Sequence, residues 1–188
     1  MNLNRKLILA SNSPRRKELL SKLDFSYEVR LREVPEDFPD TLKREQVAEY
    51  LANRKAEAYI TDLDDEILIT ADTIVCVDDQ ILNKPEDENE AISMLKLLSG
   101  RMHEVFTGVC LLSKEKKIIF HDQTKVYFKT LSEEEITYYT HKYKPYDKAG
   151  AYGAQEWLGM VAIDHIEGSY FNVMGLPVHK LYEQLQKF

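Results

Sequence analysis

Short apolar runs alternate with stretches of helical period along this chain, and that alternation predicts most of its elements. Residues 6–10, built on Leu7-Ile8-Leu9, predict a short buried strand. Ser13 is placed to cap a helix with Pro14 at its first position, where a missing N–H costs nothing. Leu19, Leu20 and Leu23 supply that helix's inner face. Residues 25–31 alternate and predict a strand, and 33–40, with two prolines and four acids, a loop. A helix is expected over 42–60, because Val47, Ala48, Leu51, Ala58 and Tyr59 share one arc at helical spacing.

Residues 67–77 form a continuous apolar run rich in β-branched residues, broken by one acid, and predict a central strand. A turn and short return strand follow, ending at Asn83-Lys84-Pro85. Asp87 and Glu90 have capping-box spacing for a helix over 91–98 that Gly100 stops. Two strands are expected at 103–113 and 117–131, then a short helix capped by Ser132 and Glu135. A Gly/Ala loop at 144–155, a strand at 160–168 and a closing helix at 177–187 complete the chain. The order predicts an α/β fold with a mixed, twisted sheet flanked by helices, and the length suggests a single domain spanning 1–188 or two closely joined lobes.

Composition narrows the function classes. The 188 residues carry 32 acids against 25 Lys and Arg, a formal charge of −7, which argues against a nucleic-acid polymer as partner. A small anionic ligand held by a local basic cluster is still compatible. Hydrophobic residues at 44% indicate a globular chain. Cys76 and Cys110 both lie in apolar runs and read as reduced core thiols. No apolar run reaches signal-peptide or membrane-spanning length, so a cytoplasmic protein without a membrane partner is expected. The five histidines, His103, His121, His141, His165 and His179, show no metal-like spacing and read as structural or exposed.

Four features break their local pattern. Arg15 and Arg16 stand in a helix's first turn, where the macrodipole disfavours cations. They are either a solvated pair or, with free N–H groups beside them, a phosphate site. Asp72 interrupts the apolar run 67–77; an acid there is costly unless paired, metal-bound or protonated, or else it marks the tip of a strand ending near Thr70. Lys55 falls inside the apolar arc of its helix, as a snorkelling side chain or one directed into a cleft. Lys84 is presented by Pro85 at a defined turn, either as an ordinary exposed lysine or as a ligand. Cations to hold phosphates and acids to hold a divalent metal or activate water are the inventory of phosphoryl chemistry. No Walker loop, dinucleotide fingerprint or zincin motif is present.

Together LASNSPRRKELL (9–20), ADTIV (71–75) followed by Lys84-Pro85, SGRMHEVFTGV (99–109), DKAGAYGAQ (147–155) and GSYFNVMGLP (168–177) resemble the Maf family, from residue 7 to about 181. The resemblance implies an ITPase-like α/β fold with a cleft between two lobes. It also implies hydrolysis of a nucleoside triphosphate between the α- and β-phosphates, with Mg²⁺ or Mn²⁺ as cofactor. Asp72 would be the general base, with Glu36, or Asp37 if the loop is shifted by one, assisting as metal ligand alongside it. Lys84 would act in catalysis, and Ser11, Arg15, Arg16, Lys55, Thr73 and Gln155 would bind substrate.

Arg15, Thr73 and Gln155 match the branch acting on dTTP and UTP, with modified pyrimidine nucleotides as further candidates. A glutamine amide can donate and accept against a uracil or thymine edge. Lys144 and Ala154 depart from the family pattern, the second beside the base-reading position. The rival readings are a nucleotide-binding regulator of cell division and septum formation with little turnover, and a purine-directed pyrophosphatase. A homodimer is a candidate assembly.

Overall fold

The computed structural model describes residues 5–188. Among these residues seven strands form one mixed sheet: β1 (Leu7–Leu9), β2 (Tyr27–Val29), β3 (Ile67–Val77), β4 (Gln80–Leu82), β5 (Met102–Leu112), β6 (Lys117–Phe128) and β7 (Ile163–Glu167). Their order is β2-β1-β3-β5-β6-β7, with β4 paired to β3. β1 runs parallel to both β2 and β3, whereas β4 on β3 and β7 on β6 are antiparallel. The helices are α1 (Pro14–Ser21), α2 (Glu45–Glu57), α3 (Glu88–Leu98), α4 (Glu133–Tyr143), α5 (Trp157–Ala162), α6 (Tyr170–Val173) and α7 (Val178–Leu185). The expected mixed α/β architecture is therefore present.

The chain divides into two compact units. The first comprises residues up to Asp72 with Thr107–Asp122 and Gly175–Phe188; the second comprises Thr73–Phe106 and Gln123–Met174. In the first, Ile8, Leu68, Cys110 and Leu112 pack with Ala52, Ala56, Tyr59 and Leu63. Alanines along this face of α2 let the helix lie close to the sheet. At Gly108 of β5 the approach is backbone on backbone: a Cβ there would stand 2.3 Å from the carbonyl carbon and oxygen of Ala48. Thr70 fastens the same helix by donating its hydroxyl to the Ala52 carbonyl at 2.7 Å.

The second unit has its own core, in which Val75, Val77, Leu82, Leu95, Leu98, Val126, Phe128 and Tyr139 are buried together. Ser132 and Glu135 form the full reciprocal capping box expected at the start of α4. At α3 the exchange is only half made: Asp87 accepts from the Glu90 N–H at 2.9 Å, but Glu90 returns to the N–H of Glu86. Gly100 follows the helix at φ +69°, a left-handed conformation that a residue without Cβ adopts freely.

Several boundaries differ from expectation. The helix expected over 42–60 is confined to α2, because Arg44 takes φ +50° before it and Ala58 caps it. The strand expected at 160–168 begins only at Ile163, since residues 157–162 form α5. Gly159 seats that helix: a Cβ there would come within 2.1 Å of the Ala154 carbonyl oxygen. The short helix α6 had no periodic signal to announce it. Among the described residues no helix is long and apolar enough to cross a membrane, and both cysteines are buried. Burial pushes the Cys110 thiol up to about 12, as expected for an inert core group.

Candidate functional site

In the first unit, β1 ends at Leu9, opposite Ile69 of the parallel β3, and Ala10 closes the pairing with a hydrogen bond to the Ile69 carbonyl at 2.9 Å. The chain then turns through Ser11–Ser13 into α1, while β3 continues. Asp72 thus stands just beyond the point where β3 loses its β1 neighbour, and is not at a strand tip. Open α/β sheets gather ligands at such carboxyl ends. Alternation along β3 puts Asp72 on the face of Leu68 and Thr70, the face covered by α2.

That geometry explains why Lys55 interrupts the apolar arc of α2. Its Nζ donates to Asp72 Oδ1 at 2.5 Å and to Glu36 Oε1 at 2.8 Å. The Lys55 and Asp72 side chains are 17% and 11% exposed, so the pair is largely removed from water. Isolated, either charge would be costly at that depth; paired, they are tolerated. Of the two neighbouring acids, Glu36 is the one that meets Lys55. Asp37 turns to Arg54 instead, at 3.0 Å, and the hydrogen bond from that guanidinium holds its carboxyl below the usual range.

The two arginines of α1 behave differently. Ser13 caps the helix, its hydroxyl accepting from the Arg16 N–H at 3.4 Å. The Arg16 guanidinium donates through Nε to the Gly175 carbonyl at 2.8 Å, and its Nη1 lies 3.4 Å from Ser11 Oγ. Burial holds this guanidinium below its usual value. The charges of Asp72 and Glu36 oppose that shift, and the charge of Arg15 adds to it. Arg15, Arg16, Glu36, Asp72 and, through the carboxylates, Lys55 therefore share one electrostatic environment. Ser11 is buried and also accepts from the Ser13 N–H at 3.2 Å.

In the second unit, Thr73 is half-buried on β3 and Lys84 is exposed after β4, with Pro85 buried beside it. Asn83 accepts from the Gly150 N–H at 3.2 Å, which ties the Lys84 turn to the loop leading to Gln155. The Oε1 atom of Gln155 is buried without a hydrogen-bond partner among the described residues. A buried acceptor left in this state is costly and is a reason to expect an incoming donor. The same loop buries Lys148, which the residue pattern did not mark: its Nζ pairs with Asp147 at 2.7 Å and Glu156 at 3.1 Å. A lysine in a loop without periodicity carries no sign of its depth.

The histidines divide as isolated groups. His103 is buried against Tyr152 at 2.8 Å, and burial pushes it down to about 3. His121 meets Glu49 at 2.7 Å and His165 stacks on Tyr127, while His141 and His179 are exposed. Among the described residues no group of three or more His, Cys, Asp or Glu is placed to hold a metal ion.

Comparison with known proteins gives this arrangement its relatives. A model of the Maf-like protein family matches residues 6–188. The dTTP/UTP pyrophosphatase of Parabacteroides distasonis is 51% identical over 97% of this chain and 96% of its own length. Those of Porphyromonas gingivalis and Phocaeicola vulgatus are 52% and 54% identical, each over 97% of this chain and 94% and 95% of their own. Among solved structures, the Staphylococcus aureus Ham1 protein aligns at a TM-score of 0.44 and 16% identity, over 66% of this chain and 72% of that one. With a family match running from residue 6 to the last residue and relatives more than half identical along nearly their whole length, the chain belongs to the Maf-like protein family.

Proposed function

We propose that this chain is a nucleoside triphosphate pyrophosphatase acting on dTTP and UTP, releasing the nucleoside monophosphate and pyrophosphate. The observation that carries the proposal is the Lys55 ammonium held between Glu36 and Asp72, with the charges of the same two carboxylates acting on the Arg16 guanidinium. A set of cations and acids around one point suits a reaction whose barrier is mainly the charge spread over phosphoryl oxygens. Near-full-length relatives named dTTP/UTP pyrophosphatase support the substrate class. A septum-formation regulator with little turnover is the weaker reading, because the acid and lysines suited to catalysis are all present.

In the reaction, a water oxygen attacks the α-phosphorus and the bond to the bridging α–β oxygen breaks, so pyrophosphate leaves. Asp72 takes the proton the water gives up. Lys55 fixes the Asp72 carboxylate through Oδ1. Arg15, on the first turn of α1, and Lys84 are assigned to phosphate oxygens, Ser11 and Arg16 to shaping the loop that receives them. Thr73 and Gln155 are assigned to the base.

Glu36 and Asp72 fit a divalent cation. They already accommodate a positive charge between them, and hard carboxylate oxygens suit Mg²⁺ or Mn²⁺, which Mg²⁺ in particular takes from one or two carboxylates plus water and substrate. Bound there, such an ion supplies Lewis-acid neutralisation of phosphate charge.

A panel of nucleoside triphosphates assayed for pyrophosphate release with either metal tests the reading. We expect UTP and dTTP to lead, and Asp72→Asn to bind UTP while losing at least about a hundredfold in kcat, the scale of one general base. Near-normal turnover by that variant would remove Asp72 from its assigned role.

A further inference from the structure

We propose that Tyr139, Glu156 and Lys148 are positioning residues that hold Gln155 so that its Oε1 accepts the ring N–H of a uracil or thymine. The proposal rests on the pyrophosphatase reading above and extends it to how the base is selected.

Gln155 sits in a stretch fastened on both sides. Before it, the Gly153 N–H donates to the Tyr139 hydroxyl at 3.1 Å, and the Ala154 carbonyl lies against Gly159 so closely that no Cβ fits between them. After it, Glu156 receives the Tyr139 hydroxyl at Oε2 and the Lys148 ammonium at Oε1, 3.1 Å away. Gly153 and Glu156 are themselves in contact, since a Cβ on Gly153 would come within 2.9 Å of Glu156 Cδ. One hydroxyl and one carboxylate therefore link the residue two before Gln155 to the residue just after it. Burial, with the Glu156 hydrogen bond adding to it, pushes the Tyr139 hydroxyl up, so it stays protonated and able to donate.

Lys148 is the unusual member. Its side chain is 7% exposed, and such a buried ion pair adds little stability compared with apolar packing of the same volume. Its effect is geometric: it fixes Glu156, which fixes Tyr139 and Gly153. On the residue this clamp brackets, Gln155, Oε1 is buried without a hydrogen-bond partner among the described residues.

An orphaned acceptor on a fixed loop selects by chemistry. Uracil and thymine carry a hydrogen at N3 and satisfy it, whereas cytosine presents a lone pair at N3 and leaves two acceptors facing each other. Sites built to hydrogen-bond a group discriminate strongly against an analogue that lacks it, because the buried partner is then left unpaired. A loosened loop would let Gln155 turn and the discrimination fall.

The test uses the full chain and compares steady-state hydrolysis of UTP, dTTP and CTP. Tyr139→Phe removes one hydroxyl and keeps the ring. The ratio of kcat/KM for UTP over CTP should fall about tenfold, largely through a higher KM for UTP, with kcat for UTP changed less than about twofold. Lys148→Met should lower the same ratio and Lys148→Arg should retain most of it, because a cation still reaches Glu156. Should Lys148→Met not fold, Tyr139→Phe and Glu156→Gln decide the matter. An unchanged UTP/CTP ratio in variants whose rates fall equally for both nucleotides overturns the proposal, as does a native protein with no preference between them. A native protein that releases no pyrophosphate from UTP or dTTP defeats the pyrophosphatase reading itself, an outcome distinct from either.

Discussion

Replacing Lys55 with methionine keeps most of the length of the side chain and removes the charge that separates Glu36 from Asp72. The two carboxylate oxygens lie on one nitrogen at 2.8 and 2.5 Å. They are therefore at most about 5 Å apart, where two unit charges at an effective dielectric of 20 repel by about 3 kcal/mol. Glu36 is 44% exposed and can turn into solvent, which screens part of this repulsion, so we expect a loss of about 2 kcal/mol near pH 8. For a chain of this size that lowers Tm by roughly 4–8 °C.

The sign of the pH dependence follows. With the ammonium gone, repulsion raises the carboxylates' affinity for protons in the folded state above that in the unfolded state, so the variant's stability falls as pH rises. Urea unfolding of native and Lys55→Met protein at about pH 8 and about pH 5 measures this directly, and the deficit should shrink at the lower pH. Excess Mg²⁺ should also recover part of it, since a divalent cation can take the ammonium's place between hard oxygen donors. A deficit independent of both pH and Mg²⁺ would refute the electrostatic reasoning and leave only lost packing.

Two further outcomes test features outside that cluster. Burial pushes His103 down to about 3, so the unfolded chain binds the proton that the folded chain refuses. This contribution is complete above about pH 6.5 and is lost as pH falls toward 3, at up to about 1.4 kcal/mol per pH unit. His103→Leu should flatten the acid limb of the urea midpoint over that window, and an unchanged limb would refute it. Ser132→Ala removes the hydroxyl that caps α4 and should cost about 1 kcal/mol, read as a matching drop in the urea midpoint with unchanged slope.

The residues that contradicted their surroundings were the legible ones. Asp72 in an apolar run and Lys55 in an apolar arc were both visible from spacing, and the structure joins them in one ion pair. Helix caps at Ser13 and Ser132 were equally visible, because a cap is a local bargain between a side chain and nearby N–H groups. What lay beyond reach depended on distant partners. Nothing local separates Glu36 from Asp37; Lys55 and Arg54, adjacent on α2, draw them in different directions. Arg16 was open between phosphate site and solvated pair, and its Nε bond to Gly175 spans 159 positions. The boundary at Ile163 is not legible in the sequence because MVAI fits a helix or a strand equally well, and it is Gly159 against Ala154 that seats the helix.

Gly108 has a bearing on how closely the Lys55 ammonium can be placed. Where side chains lie between a helix and a sheet, they act as shims: swap one and the spacing changes by the thickness of a methyl group. At Gly108 there is no shim, because β5 and the Ala48–Glu49 peptide meet as bare backbone. The seat of α2 is thus set by covalent dimensions common to all polypeptides. Two turns further along that helix, Lys55 inherits its height over the sheet from this contact. Variation elsewhere in the core can accumulate without shifting that reference level.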